Sequence, residues 1–259
     1  MRTVVVRVLA VFVALTWLVF PGFGLVDLSV TWDRDWPVVL EASWGVFMTV
    51  LVAGSFLAIA LRPRRAAPAT ATLLLSLATW LIAAAAGLEW PLLGYAALLA
   101  VELPLVLLVP DRERLRPVAW SVWRPLLVVA ALGVVPGLLH AERMFSANRR
   151  DAGVLIGDVT MGVDHYAVQG ALALALPALA VLAACWPRGR RYLGASVGLC
   201  AGYLGLVSLA FPFTWGGVSA LWSVLCLVWA AAITGLAIAA PRSQARQLGG
   251  EVVEAERAL

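Results

Sequence analysis

An all-helical bundle embedded in a bilayer is the fold class this sequence predicts, and three observations predict it. Hydrophobic residues make up 63% of the 259-residue chain and charged residues only 13%, far outside the soluble average. The apolar residues fall into eight runs that approach the roughly 20 residues needed to cross about 30 Å of hydrocarbon. Arginine collects at every second boundary between those runs, as in a multi-pass protein whose basic loops stay in the cytoplasm.

The runs lie at 4–20, 42–61, 69–87, 92–109, 118–139, 166–185, 192–211 and 217–240. "RPRRAAP" separates the second from the third, "PDRERLRP" the fourth from the fifth, and "WPRGRR" the sixth from the seventh. Each is an Arg and Pro turn of the kind that stops a helix. Counting these turns and both chain ends, one side carries 14 arginines against five acids, net +9, and the other four against nine, net −5. Both termini are therefore expected in the cytoplasm. The opening "MRTVVVRVLAVFVALTWLVF" has the basic start and apolar core of a secretory signal, but it runs into "PGFG" with no small-residue cleavage site. It reads as a retained anchor.

This divides the chain into a transmembrane domain, 1–240, and a short cytoplasmic tail, 241–259. All 19 basic residues are arginine, which together with abundant Ala, Leu, Val and Gly points to a bacterial plasma-membrane protein from a GC-rich genome. The absence of lysine excludes a retinal Schiff base or any other catalytic amine on that side chain. Cys185, Cys200 and Cys226 stand in apolar runs without paired spacing and read as small buried hydrophobes. Trp17, Trp44, Trp90, Trp120, Trp123, Trp186 and Trp215 fall near run ends, where an aromatic belt is expected.

Two motifs have structural readings. In "LGASVGLCAGYLG", Gly194, Gly198 and Gly202 recur at intervals of four, a spacing that lets helix backbones approach closely in lipid. The same stretch matches the G-x-S-x-G string of serine hydrolases, but that nucleophile needs a strand, a sharp turn and a helix, and Ser196 lies inside an apolar run. Nucleotide-binding loops, dinucleotide fingerprints and haem-attachment motifs are absent from the sequence.

Few residues remain to carry chemistry. Glu102 and Arg124 are the formal charges well inside predicted spans, at matching depth on consecutive helices, and are expected either to pair or to separate, Arg124 snorkelling to the cytoplasmic surface and Glu102 protonated or bonded to Ser or Thr. The two histidines, His140 and His165, bracket one of two longer outer loops, 21–41 and 141–165. With Glu142, Asp158 and Asp164 nearby and Gln169 one turn beyond His165, they form a candidate divalent transition-metal or acid/base site. The alternative reading gives Asp158 or Asp164 the task of capping the sixth helix.

The function expected first is an accessory or binding protein that presents this His and carboxylate site on its outer face. A transporter using Glu102, Arg124 and Gln169 is the second, and an enzyme acting on a lipid-linked substrate at the outer surface the third. The expected partners are the lipid bilayer and other membrane proteins, with no nucleic acid.

Overall fold

The computed structural model describes residues 2–33, 35–36, 38–108, 120–151 and 159–240. Six helices are long and apolar enough to cross a membrane: Val38–Leu61, Ala67–Gly87, Arg124–Arg150, His165–Cys185, Arg190–Ala210 and Ala220–Ala239. Two shorter apolar helices, Thr3–Leu18 and Leu92–Leu105, lie where the sequence places its first and fourth runs. The "PDRERLRP" turn, Asp158 and the tail 241–259 lie outside the described residues.

In chain order the helices are α1 (Arg2–Leu18), α2 (Gly24–Val30), α3 (Val38–Val46), α4 (Gly54–Leu61), α5 (Ala67–Gly87), α6 (Leu92–Glu102), α7 (Arg124–Leu132), α8 (Val134–Asp151), α9 (His165–Cys185), α10 (Arg190–Ala210) and α11 (Ala220–Ala239). A wider π-type stretch, Phe47–Ala53, joins α3 to α4 without a break. A hairpin of β1 (Val159–Thr160) and β2 (Val163–Asp164) precedes α9.

α9 is the most enclosed of the six long helices, packed by α3, α5, α7, α8 and α10. Alanine at Ala167, Ala171, Ala175, Ala180, Ala183 and Ala184, all buried, lets those neighbours come close. Its Pro177 removes the amide that the Ala173 carbonyl would otherwise accept. Gly137 of α8 lies against that carbonyl, where a Cβ would be only 2.7 Å from the oxygen.

The chain breaks after its first helix. α1 ends at Leu18, and at Gly22 the chain folds so tightly back on the Trp17 backbone that a Cβ there would overlap it. α2 then runs antiparallel to α3, with Gly24 against Met48 and Thr49 and Leu28 against Gly45. At 1.5 Å per residue, Thr49 lies roughly 16 Å along this helix from Val38, so irregular backbone sits well inside the bundle. Such backbone is tolerated at membrane depth where protein covers it. Here the Trp44 indole donates to the Gly22 carbonyl at 2.8 Å and the Tyr95 hydroxyl to the Pro21 carbonyl at 2.9 Å.

Both stretches read from the sequence as outer loops are therefore partly helical. Residues 24–30 form α2, and α8 continues eleven residues past His140 to Asp151. The second continuation is amphipathic: Ala141, Met144, Phe145, Ala147 and Asn148 are buried, whereas Glu142, Arg143, Arg149 and Arg150 are exposed. α7 and α8 are divided at Gly133, whose amide bonds the Ala130 carbonyl at 3.1 Å. The Val129 carbonyl takes the Trp229 indole instead, at 2.8 Å.

Arg190 fastens the opposite end of α9. Its guanidinium donates to the carbonyls of Ala183 at 3.2 Å and Ala184 at 3.3 Å, two of the orphan acceptors at a helix C-terminus. It also reaches Ser121 at 3.3 Å and lies over the Trp123 ring. The aromatic belt is a partial correction. Trp90, Trp120 and Trp215 are exposed at helix ends, but Trp17, Trp44 and Trp186 are buried.

Candidate functional site

Several of the buried polar side chains collect at the N-terminal ends of α3 and α9. α3 carries Glu41 and Trp44 three residues apart, hence on one face. Asp164 caps α9, accepting from the Tyr166 amide at 2.9 Å, as one sequence reading expected, and so fixes the first turn that carries His165. The His165 ring is fully buried and stacks on the Trp44 indole, with centroids 4.7 Å apart and planes 28° apart. Its Nε2 lies 2.9 Å from Thr160 Oγ1 of the hairpin, and its Nδ1 faces Glu41 Oε2 at 3.6 Å.

Asp27 of α2 completes the group. α2 packs on α3, and Asp27 and Glu41 are only 5% and 3% exposed. Asp27 Oδ2, Glu41 Oε2 and His165 Nδ1 are buried without a hydrogen-bond partner. Native proteins contain few such atoms, and three converge here. Beneath them Trp17, Trp44, Trp80, Phe47 and Tyr95 pack ring against ring, with neighbouring centroids 5.1 to 6.5 Å apart.

A second polar group lies one turn deeper. Gln169 Nε2 donates to the Gly216 carbonyl at 2.7 Å and contacts His140 Nε2 at 3.0 Å. An amide nitrogen only donates, so His140 Nε2 accepts and its proton is assigned to Nδ1. On the far side of α9, Asn148 receives the Ala167 amide and donates to the Gly87 carbonyl and to Glu89, joining α8, α9 and the α5 end.

The expected site residues are thus divided. His165 and His140 have different partners, Glu41 with Thr160 for the first and Gln169 for the second. Glu142 is exposed on α8, held by Ser146 at 2.7 Å and Arg149 at 3.0 Å. Among the described residues no group of three or more His, Cys, Asp or Glu side chains is arranged to hold a metal ion. Glu102 accepts the Trp17 indole at 2.6 Å, and Arg124 opens α7 with its side chain exposed. Ser196 lies in mid-helix, bonded to the Tyr192 carbonyl, so the hydrolase string is structural.

Asp27 and Glu41, the carboxyls that do enter the site, lie in the stretch 21–41 expected as an outer loop, at the level of the candidate site but not counted among its residues. The signal lay in "FGLVDLSV" and "VVLEASWGVF", each a single acid inside an otherwise apolar run. Comparison with known proteins adds nothing to this chemistry: no family model, curated protein or solved structure matches the chain.

Proposed function

We propose that the chain is an eight-span plasma-membrane protein of accessory or binding type, with both termini cytoplasmic and its working site at Glu41, His165 and Asp27 beneath the outer surface. One observation carries this reading: three buried acids and bases converge there with atoms left unpartnered, although burying such groups is costly unless something compensates them. Glu102, Arg124 and Gln169, the residues a transport path would need, are dispersed among separate partners. The break after the first helix still favours transport as a second reading, because broken helices commonly flank solute sites in transporters.

Native mass spectrometry of the purified protein tests the binding reading. A small molecule or partner polypeptide should accompany the wild type and be lost from Glu41→Gln. A wild type with nothing bound, or a variant that keeps the same species, would remove it. Solute uptake by reconstituted liposomes, abolished by Glu41→Gln, would instead favour transport.

Sidedness is tested by cysteine labelling after Cys185, Cys200 and Cys226 are replaced by serine. Met161 at the hairpin turn and Arg188 beside α10 are both exposed. A membrane-impermeant thiol reagent added to intact cells should modify Met161→Cys and leave Arg188→Cys untouched. The reverse pattern would invert every assignment of inner and outer.

A further inference from the structure

Thr160, His165 and Glu41 stand in a row. The Thr160 hydroxyl is 2.9 Å from His165 Nε2, and His165 Nδ1 faces Glu41 Oε2 at 3.6 Å. The order is that of a nucleophile, a base and the group that orients the base, an arrangement recognised by geometry and not by place in the chain. A carboxylate only accepts hydrogen bonds, so Glu41 favours the ring proton on Nδ1 and leaves Nε2 to accept from the Thr160 hydroxyl. The Trp44 indole, stacked 4.7 Å from the imidazole, fixes the plane of the ring. The 3.6 Å separation exceeds a hydrogen bond, a looseness that catalytic contacts commonly show before substrate binds.

His165 and Glu41 are buried, whereas Thr160 is partly exposed. The base is thereby hidden, and its hydroxyl partner is the member of the row that a substrate can meet. Thr160 ends β1, and Met161 and Gly162 make the turn to β2 with φ of 53° and 84°. A two-residue hairpin of this kind needs positive φ at both places, which glycine adopts freely and methionine at a cost. A strained turn beside a hydroxyl-bearing residue is the setting from which hydrolase nucleophiles are presented.

The surface around the hydroxyl is apolar. Asn148 ties this end of α9 to the end of α5, accepting from the Ala167 amide and donating to the Gly87 carbonyl. Just beyond Gly87, Leu88 and Trp90 are 56% and 59% exposed, and Met161 is 59% exposed. Exposed apolar side chains at this end of the bundle suit a substrate that carries a long hydrocarbon chain.

Building on the reading of Glu41 and His165 as the working site, we infer that Thr160 and His165, positioned by Glu41, hydrolyse the carboxylic ester of a long-chain amphiphile. Thr160 Oγ1 bonds to the ester carbonyl carbon while its proton passes to His165 Nε2. The bond from that carbon to the alcohol oxygen then breaks, and Nε2 returns the proton to the departing oxygen. Water repeats the sequence against the acyl-threonine: its oxygen bonds to the carbon, one of its protons passes to Nε2 and on to Thr160 Oγ1, and the fatty acid leaves. Glu41 acts through the ring, holding its orientation and offsetting its charge while Nε2 carries the extra proton.

The full chain in lipid nanodiscs, treated with a hexadecyl fluorophosphonate, tests the nucleophile. Mass spectrometry should find the phosphonyl group on Thr160, added at least about tenfold faster than from the ethyl reagent, which lacks the chain. Thr160→Ser should keep the labelling, while Thr160→Val, on the partly exposed hairpin, should abolish it and unfold like wild type. His165→Gln should slow it about a hundredfold or more. Nitrogen NMR of the two histidines, assigned with His140→Gln, should place the His165 proton on Nδ1, with a downfield proton resonance that Glu41→Gln removes. No label on Thr160, or labelling at the wild-type rate in His165→Gln, would overturn the activity. Equal rates with the two reagents would overturn the amphiphile, and a proton on Nε2 would overturn His165 as the base. Labelling as expected in a protein that copurifies with nothing keeps the activity and removes the binding reading; a bound species without labelling does the reverse.

Discussion

Trp44→Ala should lower stability by about 3 to 5 kcal/mol, the usual cost of emptying a buried tryptophan site. The side chain is fully buried, stacks on His165 and meets Tyr95 edge to face at 5.2 Å. It also supplies the donor for the Gly22 carbonyl at the interruption between α1 and α2. Alanine removes all of these together and leaves irregular backbone without its partner inside the bundle. Trp44→Phe separates the contributions, since it retains much of the ring packing and loses only the N–H. It should cost about 1 to 3 kcal/mol, the range for an acceptor left buried and unpaired. Unfolding curves in a denaturing detergent titration read both. Equal, small losses for the two variants would mean that Trp44 does not hold the interruption in place.

Gly198→Leu should destabilise the bundle by about 1 to 3 kcal/mol through overpacking. α10 and α11 meet along the glycine row: a Cβ at Gly194 would overlap Ala237, and one at Gly198 would overlap the Thr234 hydroxyl. At Gly202 the same atom would stand 3.8 Å from Ala230, an ordinary contact. Gly202→Ala is therefore the internal control and should be tolerated, even slightly stabilising, because alanine is the better helix former. Thermal unfolding of both variants checks the contrast. Equal melting temperatures for Gly198→Leu and wild type would remove close packing as the purpose of the row.

The features legible in the sequence were those carried by long-range composition. Every apolar run became an apolar helix in the described residues, since hydrophobic length needs no partner to be read. Charged residues misled wherever they were taken to end a helix. Glu41 sits one turn inside α3, and the charges after His140 line the exposed face of α8, so helix continued where polarity suggested loop. α2 has only seven residues, too few for periodicity to show, and Asp27 was hidden with it.

The histidines illustrate a limit of another kind. Consecutive antiparallel helices do pack, as α8 and α9 show, so the premise for joining His140 to His165 was sound. The extra eleven residues of α8 place His140 one turn deeper than the start of α9, level with Gln169. A shift of one turn suffices to give each ring its own partner. Likewise, Trp17 and Trp44 fall near the ends of their runs, but a place in the sequence does not reveal which way a side chain faces.

Pro177 has a mechanical consequence for α9. Its 21 residues make a rod of roughly 30 Å, anchored by His165 and Gln169 at one end and by Arg190 at the other. The lost bond at Ala173 puts a joint between those anchors, and Gly137 lets α8 pack directly against it. A displacement at His165 would thus tilt the segment before Pro177 about this joint, while the segment after it stays clamped to residues 121–123. Pro177→Ala would weld the segments into one lever, and the spread of distances between spin labels at its two ends should narrow relative to wild type.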